Sequence, residues 1–546
     1  MGNVKFLKSL AVIALCFLLV LGACAPATES PPSPPPPEGP PAEFEVTSLV
    51  VTPIVAEPGQ AVTVEVKVEN IGGTEGTHTL TLNVNGAVKE VMDVTVKPYM
   101  PQTAAFTLIP DASGIYNIEV SGMTETLRVK PVGAYPRLIN MYCGTNAFYW
   151  NLQQFDPAEL DAMIKTLARW DIIVVNYSTV CFTKETVRRI KELNPQAKVL
   201  AYIEGGTGGW WRWLLTHDLE APGKPAWMTP GFINFLRYQA GAFGITAQDS
   251  YESFFLHYGG TQKRAVLWTN GTTGEQWPGM NPNSGWASYL PQFVHDKLMS
   301  TGLFDGVFYD CFWESIWLNN IDIDNDGIAD STTVVNQKYR EGMARLLQVT
   351  RELLGPEAII LGNPGVEWSA NSPFFEYANG HMQECALGGE TWSSKDFAKV
   401  WDIYQRNMNK PEPPTRIHWI GVDTNDVQFD PFNPKLPAAN LQKMRYGLAI
   451  TLLDDGYLGF DMGNDFHGEL WWFPEYDTYL GFPLGDAQKR SGGSWVREFE
   501  NGTVVANPAG KTTIEFATPR RDVTTGIEGT SFEVPSLDGR IFVKVD

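Results

Sequence analysis

The chain has 546 residues, 43% hydrophobic, 12% aromatic and 19% charged, a size and balance that suit one large domain with smaller companions. Its 62 acidic and 41 basic residues leave a formal charge of −21, which excludes phosphate-rich nucleic acid and other polyanionic surfaces as partners and favours a neutral or cationic ligand. The 18 tryptophans provide flat rings that suit sugar faces as well as core packing.

At the N-terminus Lys5 and Lys8 precede an apolar run from Leu10 to Leu21 that ends in Leu21-Gly22-Ala23-Cys24. The run falls short of the roughly 18 or more residues of a membrane-spanning helix, and small residues flank a cysteine where cleavage would fall. The segment resembles the bacterial lipoprotein signal. That resemblance implies a signal peptide over residues 1–24, lipidation of Cys24 and an extracellular protein that meets the membrane through its lipid anchor only. Residues 25–43 are dominated by proline, including Pro34-Pro35-Pro36-Pro37, a composition that favours an extended polyproline II spacer. Cys143, Cys181, Cys311 and Cys385 are widely spaced and form no zinc pattern. Export would permit disulfides, with the pairing open.

Residues 44–131 read as an all-β module. Alternating runs such as Val62-Thr63-Val64-Glu65-Val66-Lys67-Val68 and Leu80-Thr81-Leu82-Asn83-Val84 are separated by turn residues, with Asn85-Gly86 predicting a hairpin. Glu57-Pro58-Gly59-Gln60, Val68-Glu69-Asn70-Ile71-Gly72 and Gly114-Ile115-Tyr116 resemble the cell-adhesion-related bacterial domain (CARDB) of the immunoglobulin-like class, which implies a β-sandwich acting as spacer or binding module.

From residue 132 to about 490, short apolar strands alternate with amphipathic helical stretches, the pattern of a parallel sheet wrapped by helices. The strands run Leu138 to Cys143, Ile172 to Tyr177, Val199 to Glu204, Gly306 to Phe312, Ile359 to Asn363, His381 to Ala386, Ile417 to Val422 and Tyr457 to Asp461. Eight such units close a (β/α)8 TIM barrel, an α/β fold. A long insertion follows the third strand, from Gly205 to roughly Ser284, and this region holds Trp210, Trp211, Trp213, Trp268, Trp277 and the following Trp286. These rings either wall a substrate cleft or pack the insertion's own core. Residues 491–546 predict a small C-terminal β domain with strands such as Thr503-Val504-Val505-Ala506.

Polar residues at the C-terminal ends of barrel strands converge on the mouth. Asp310 ends the fourth strand and Glu384 the sixth. Cleaving a glycosidic bond needs one group to protonate the departing oxygen and another to attack or to activate water, so two carboxylates meet the need. Glu204 and Asp461, at the ends of the third and eighth strands, join them as substrate-binding candidates. Tyr309, Trp313, Asn363 and His381 are candidates for orienting sugar hydroxyls, with His381 alternatively facing outward at the beginning of its strand, and Glu475, with Trp471, Trp472 and Asp477, either forms sugar subsites or seals the barrel.

Distributed features carry a family resemblance from about Arg137 to Pro508. They include Asn194-Pro195-Gln196-Ala197-Lys198-Val199-Leu200-Ala201-Tyr202, the strands ending in Asp310 and Glu384, Met444-Arg445-Tyr446-Gly447-Leu448-Ala449 and Trp472-Phe473-Pro474-Glu475-Tyr476-Asp477. The stretch resembles bacterial barrel-fold glycoside hydrolases related to endo-α-1,4-polygalactosaminidases and, more distantly, α-galactosidase-like barrels. The resemblance implies an extracellular hydrolase acting on α-linked polysaccharide, with Asp310 as nucleophile and Glu384 as general acid/base, and needing no cofactor for its chemistry. The competing expectation is a non-catalytic carbohydrate-binding or adhesive surface lipoprotein. One further motif, Asp322-Ile323-Asp324-Asn325-Asp326-Gly327-Ile328-Ala329-Asp330, sets acids at alternate positions before a glycine and reads as a structural Ca2+ loop held by Asp322, Asp324, Asp326 and Asp330 or, alternatively, as a solvated acidic turn. It lacks the terminal glutamate, since Thr333 stands there.

Overall fold

The computed structural model describes residues 39–142, 156–176, 184–209, 211, 251–261, 263–269, 276–387, 394–410, 414–424, 436–462, 467 and 469–545. Cys24, the signal, most of the proline-rich segment, Cys143, Cys181, Trp210 and Trp213 lie outside them. Among the described residues no helix is long and apolar enough to cross a membrane, and Cys311 and Cys385 carry free thiols.

Eight parallel strands form the central sheet: β1 (Ile139–Tyr142), β2 (Ile172–Asn176), β3 (Lys198–Glu204), β4 (Gly306–Asp310), β5 (Ile359–Gly362), β6 (Gly380–Gln383), β7 (Trp419–Asp423) and β8 (Tyr457–Asp461). They pair in sequence order from β1 to β8. The parallel bridge from Leu138 to Leu458 brings the two ends together as a nearly closed barrel. Several strands, β2 among them, are uninterrupted apolar runs because both faces are covered. Ile139, Met141, Ile172, Val174, Leu200, Phe308, Leu361, Met382, Ile417 and Trp419 fill the interior as one cluster.

That cluster fixes the phase of every strand, since side chains alternate with a period of two. Tyr202 and Glu204 follow Leu200 inward, Asp310 follows Phe308, Asn363 follows Leu361, Glu384 follows Met382 and Asp423 follows Trp419. Their odd-numbered or even-numbered neighbours, such as Ile203 and Tyr309, face the surrounding helices.

Two helices begin where the sequence supplies side-chain caps. Asp156 accepts from Ala158 N–H at 2.7 Å and Pro157 occupies the first turn of α1 (Pro157–Leu167). Ser331 caps the 23-residue α2 (Thr332–Leu354), which ends at Gly355 with φ of 80°. In α3 (Ala438–Leu452) ten residues are buried, because one face covers the barrel, where Gly447 meets Val422, and another meets the C-terminal sheet, where Gly539 lies against Arg445 and Ala449.

The N-terminal strands form two sheets, one of three strands and one of five, whose facing valines and leucines make a core from Val51 to Val129. Asn85 (φ 52°) and Gly86 (φ 80°) turn the predicted hairpin. Arg128 bonds Asp477, Lys165 bonds Glu125 at 2.5 Å, and Ile54 N–H donates to Leu193 O at 2.8 Å, so this module rests on the barrel's flank. A six-stranded antiparallel-paired sheet from Gln488 to Lys544 completes the chain. Arg445 clamps Asp538 with two bonds of 3.1 Å at its seam with α3.

Candidate active site

The mouth of the barrel is a crown of polar strand ends. Glu204 and Asp310 are register partners on β3 and β4, and Asp423 and Asp461 are register partners on β7 and β8. Asn363 follows β5, and its N–H donates to Tyr309 O at 2.8 Å.

Asn363 connects the two principal acids. Its Nδ2 donates to Asp310 Oδ1 at 2.9 Å and to Glu384 Oε2 at 3.1 Å. Gly365 N–H donates to Asn363 Oδ1 at 2.8 Å, which fixes the amide's orientation. Both oxygens are bonded to one nitrogen at 2.9 and 3.1 Å, so they lie no more than about 6 Å apart. Gly365 O also accepts from Glu384 N–H at 2.8 Å, holding the sixth strand's end against the loop that carries Asn363. On the other side Tyr202 Oη donates to Asp310 Oδ2 at 2.5 Å, its ring stacked on Phe308 inside the barrel. Both Asp310 oxygens are thus held.

The backbone turns sharply after each acid. Cys311 (φ 53°) and Cys385 (φ 48°) adopt left-handed conformations, uncommon for residues other than glycine and frequent at functional sites. Burial pushes the Cys311 thiol up, with Asp310 adding to it, and burial with Asp423 does the same for Cys385. Neither is a ready thiolate. The β3 exit packs closely on this corner: a Cβ at Gly209 would lie 2.6 Å from both carboxylate oxygens of Glu204.

Burial raises the Glu384 carboxyl above the usual range and Asp310 reinforces the shift, against the smaller opposing effects of His467 and the Asn363 bond. Across the mouth, His467 Nδ1 pairs with Asp461 Oδ2 at 2.9 Å. Burial opposes the imidazolium, but Asp461, with Glu384 and Glu469 adding to it, outweighs burial and the pKa rises to about 9. Lys443, on α3, donates to Asp423 O at 2.6 Å. Among the described residues neither Asp310 nor Glu384 forms an ion pair.

Three sequence-predicted site residues lie elsewhere. Tyr309 is fully buried on the outer face of β4, its hydroxyl within 2.9 Å of Thr350 Oγ1 on α2. His381 is out of phase with Met382 and packs among Trp368, Phe375 and His418, where burial pushes its imidazole down to about 4. Glu475 accepts from Thr524 Oγ1 at 2.9 Å at the seam with the C-terminal sheet. Its neighbours also seal that end: Trp471 packs on Phe460, Trp472 lies between Arg128 and Arg169, and Asp477 holds Arg128. Trp313 is half-buried on the loop leaving β4. Of the insertion's aromatics, Trp211 meets Trp286 and Phe293 edge-on, and Trp268 packs on Trp277 across a short hairpin, so these build the insertion's own core.

The acidic loop gathers ligand oxygens of Asp322, Asp324 and Asp330 within 4.8 Å of one another. Asp326 is not in the group and caps Ile328 N–H at 2.7 Å. Asp322 receives Asp326 and Gly327 N–H, and Lys338 pairs with Asp324 at 2.7 Å.

Tyr202, Asp423, Lys443 and His467 are the mouth residues that reasoning from strand ends missed. Strand phase could have found the first two, whereas Lys443 comes from a helix and His467 from a loop.

Residues 229–503 match the model of hypothetical glycosyl hydrolase family 15. The chain belongs to this family. It is therefore a glycoside hydrolase. Among solved structures, the family 15 chain is similar to a cycloisomaltooligosaccharide glucanotransferase from Paenibacillus sp., at 11% identity over 92% of this chain and 70% of that one, with a TM-score of 0.36. It is also similar to a maltogenic amylase from S. marinus, at 10% identity over 89% and 80% of the two chains, with a TM-score of 0.41. No curated protein matches it in sequence.

Proposed function

We propose that this glycoside hydrolase cleaves α-linked polysaccharide outside the cell with retention of configuration, Asp310 acting as nucleophile and Glu384 as general acid/base. The bridge from Asn363 to both carboxylates carries the reading, because it holds their oxygens within about 6 Å of each other, short of the roughly 6.5 to 9.5 Å that inversion through a bound water needs. In the first step an Asp310 oxygen bonds to the anomeric carbon as the glycosidic C–O bond breaks, and Glu384 gives its proton to the departing oxygen. In the second, Glu384 takes a proton from water, whose oxygen attacks the anomeric carbon and displaces Asp310. The bond from Asn363 occupies Oε2 of Glu384 and leaves Oε1 the freer oxygen to present the acid proton. The raised pKa keeps that proton on Glu384 to a higher pH than an ordinary glutamate would hold it. Glu204 and Asp461 flank the pair and hold sugar hydroxyl or amino groups.

The test is release of reducing ends from a panel of α- and β-linked polysaccharides that includes galactosaminogalactan, the polymer that the polygalactosaminidase resemblance suggests. Asp310→Asn and Glu384→Gln should both abolish release while keeping the fold. Release surviving in both overturns the assignment, and tight binding with no release by the intact protein favours a carbohydrate-binding protein.

We also propose that Cys24 anchors the protein to the membrane through lipid and that the N-terminal β module, of the CARDB type, serves as a spacer. Labelling with a radioactive fatty acid, lost in Cys24→Ala, tests the anchor. A structural Ca2+ ion on Asp322, Asp324 and Asp330 is a further proposal. EGTA should lower the melting temperature by a few degrees, and an unchanged temperature with no Ca2+ found by elemental analysis ends it.

A further inference from the structure

We propose that Trp317, braced by Trp313, is a stacking subsite for a sugar ring of the polysaccharide outside the catalytic pair. The inference rests on the hydrolase reading and extends it to a residue that the chemistry does not use. Trp317 is 58% exposed, the one tryptophan among the large exposed apolar side chains of the described residues. Exposing so large an apolar ring has a cost that a ligand would offset. It stands on the loop from β4 to α2, seven positions beyond Asp310, and so on the face of the barrel where the acids converge.

The ring is displayed on a pinned support. Trp313 meets it edge-on, with centroids 5.1 Å apart and planes at 76°. Between them Glu314 receives two bonds from Arg340, at 3.0 and 2.6 Å, and one from Ser369 Oγ at 3.0 Å. Ile316 is buried, and its N–H donates to Asn336 Oδ1 at 3.0 Å. Beside this loop is a hollow of about 500 Å3 lined by Glu314, Ser315, Asn336, Gln337, Arg340 and Glu341. Trp317 shares its loop with Glu314 and Ser315 of this hollow, and a flat ring together with amide, hydroxyl, carboxylate and guanidinium groups matches the two surfaces of a sugar, an apolar face and a rim of hydroxyls. The acidic chain favours a neutral or amino-sugar polymer over an anionic one.

The experiment is affinity electrophoresis of the full chain in gels containing dextran, amylose, pullulan, xylan or galactosaminogalactan, with reducing-end release measured on the same polymers. Trp317→Ala should weaken retardation roughly 3- to 10-fold, and Trp317→Phe, which keeps a flat ring, should retain most of it. Release from long chains should show a raised KM with kcat little changed in Trp317→Ala. Asp310→Asn should instead lose release and keep retardation. Equal retardation of the intact protein and Trp317→Ala overturns the subsite, as does retardation of the intact protein by none of the five polymers. A lowered melting temperature with unchanged retardation also overturns it, because the ring then packs on protein. Weakened retardation with no release from any polymer leaves the subsite standing and removes the hydrolase reading instead.

Discussion

The two sides of the barrel mouth carry the same kind of residue and treat it differently. On the β7–β8 side Asp461 is paired with His467, whose imidazolium it stabilises, and Asp423 lies beside Lys443. On the β4–β6 side Asp310 and Glu384 face each other across one neutral amide, with a phenol on the outer oxygen. A carboxylate beside a buried cation has its charge balanced and serves to position it. In this partly dry corner burial and the neighbouring Asp310 raise the Glu384 carboxyl, which is the condition for an acid that keeps its proton. An acid at a strand end is thus a weak signal alone, and the presence or absence of a neighbouring base decides what it can do.

The largest expected effects test this asymmetry directly. Asp310→Asn and Glu384→Gln should lower kcat by about ten-thousand-fold or more, the scale of losing a member of a catalytic unit. Asp310→Gly with added azide should recover glycosyl azide formation, a product that a water-activating base would not favour. Asn363→Ala comes next, at roughly 100-fold, because it leaves both carboxylates intact and removes what spaces them. His467→Asn should cost less than Asn363→Ala, about 10-fold. Equal losses in the two variants would erase the distinction between the two sides.

Much of this arrangement was readable in the chain. The eight apolar runs predict the barrel because each is short, buried on both faces and followed by a helical stretch. Asp310, Asn363 and Glu384 stand at strand ends in phase with Phe308, Leu361 and Met382, and the structure brings all three to the mouth. The same phase argument separates Tyr309 and His381 from them, and applying it along β3 would have added Tyr202. Glu475 could not be excluded this way, because what it bonds, Thr524, lies 49 residues away in another sheet. Lys443 and His467 were equally hidden. Their roles depend on where α3 and the loop after β8 lie against the barrel, which no local pattern encodes.

A smaller effect sharpens the comparison at the phenol. Tyr202→Phe removes the bond to Asp310 Oδ2 and keeps the ring on Phe308. A loss of about 10-fold in kcat/KM is expected, with the pH profile retained in shape.

The smallest effect is thermodynamic and follows from the direction in which the Glu384 carboxyl is displaced. It is raised by burial and by Asp310, so the folded chain binds its proton more tightly than the unfolded chain does. Between the ordinary glutamate pKa, about 4.3, and the raised folded value, stability therefore falls as pH increases. Above that window the charged Glu384 destabilises the fold, by about 1.4 kcal/mol for every pH unit the window spans. Glu384→Gln is neutral at every pH and should melt at a higher temperature than the intact protein at pH 7 to 8. The difference should vanish below about pH 4, where both side chains are uncharged. Activity should fall through the upper edge of that window, where the loss of stability levels off, since both report one proton. If Asp461→Asn, on the paired side, gave a gain as large as that of Glu384→Gln, strain from unbalanced charge would be spread around the whole mouth. A gain confined to Glu384 would place it at the catalytic corner alone, where a cost in stability is the expected companion of a working acid.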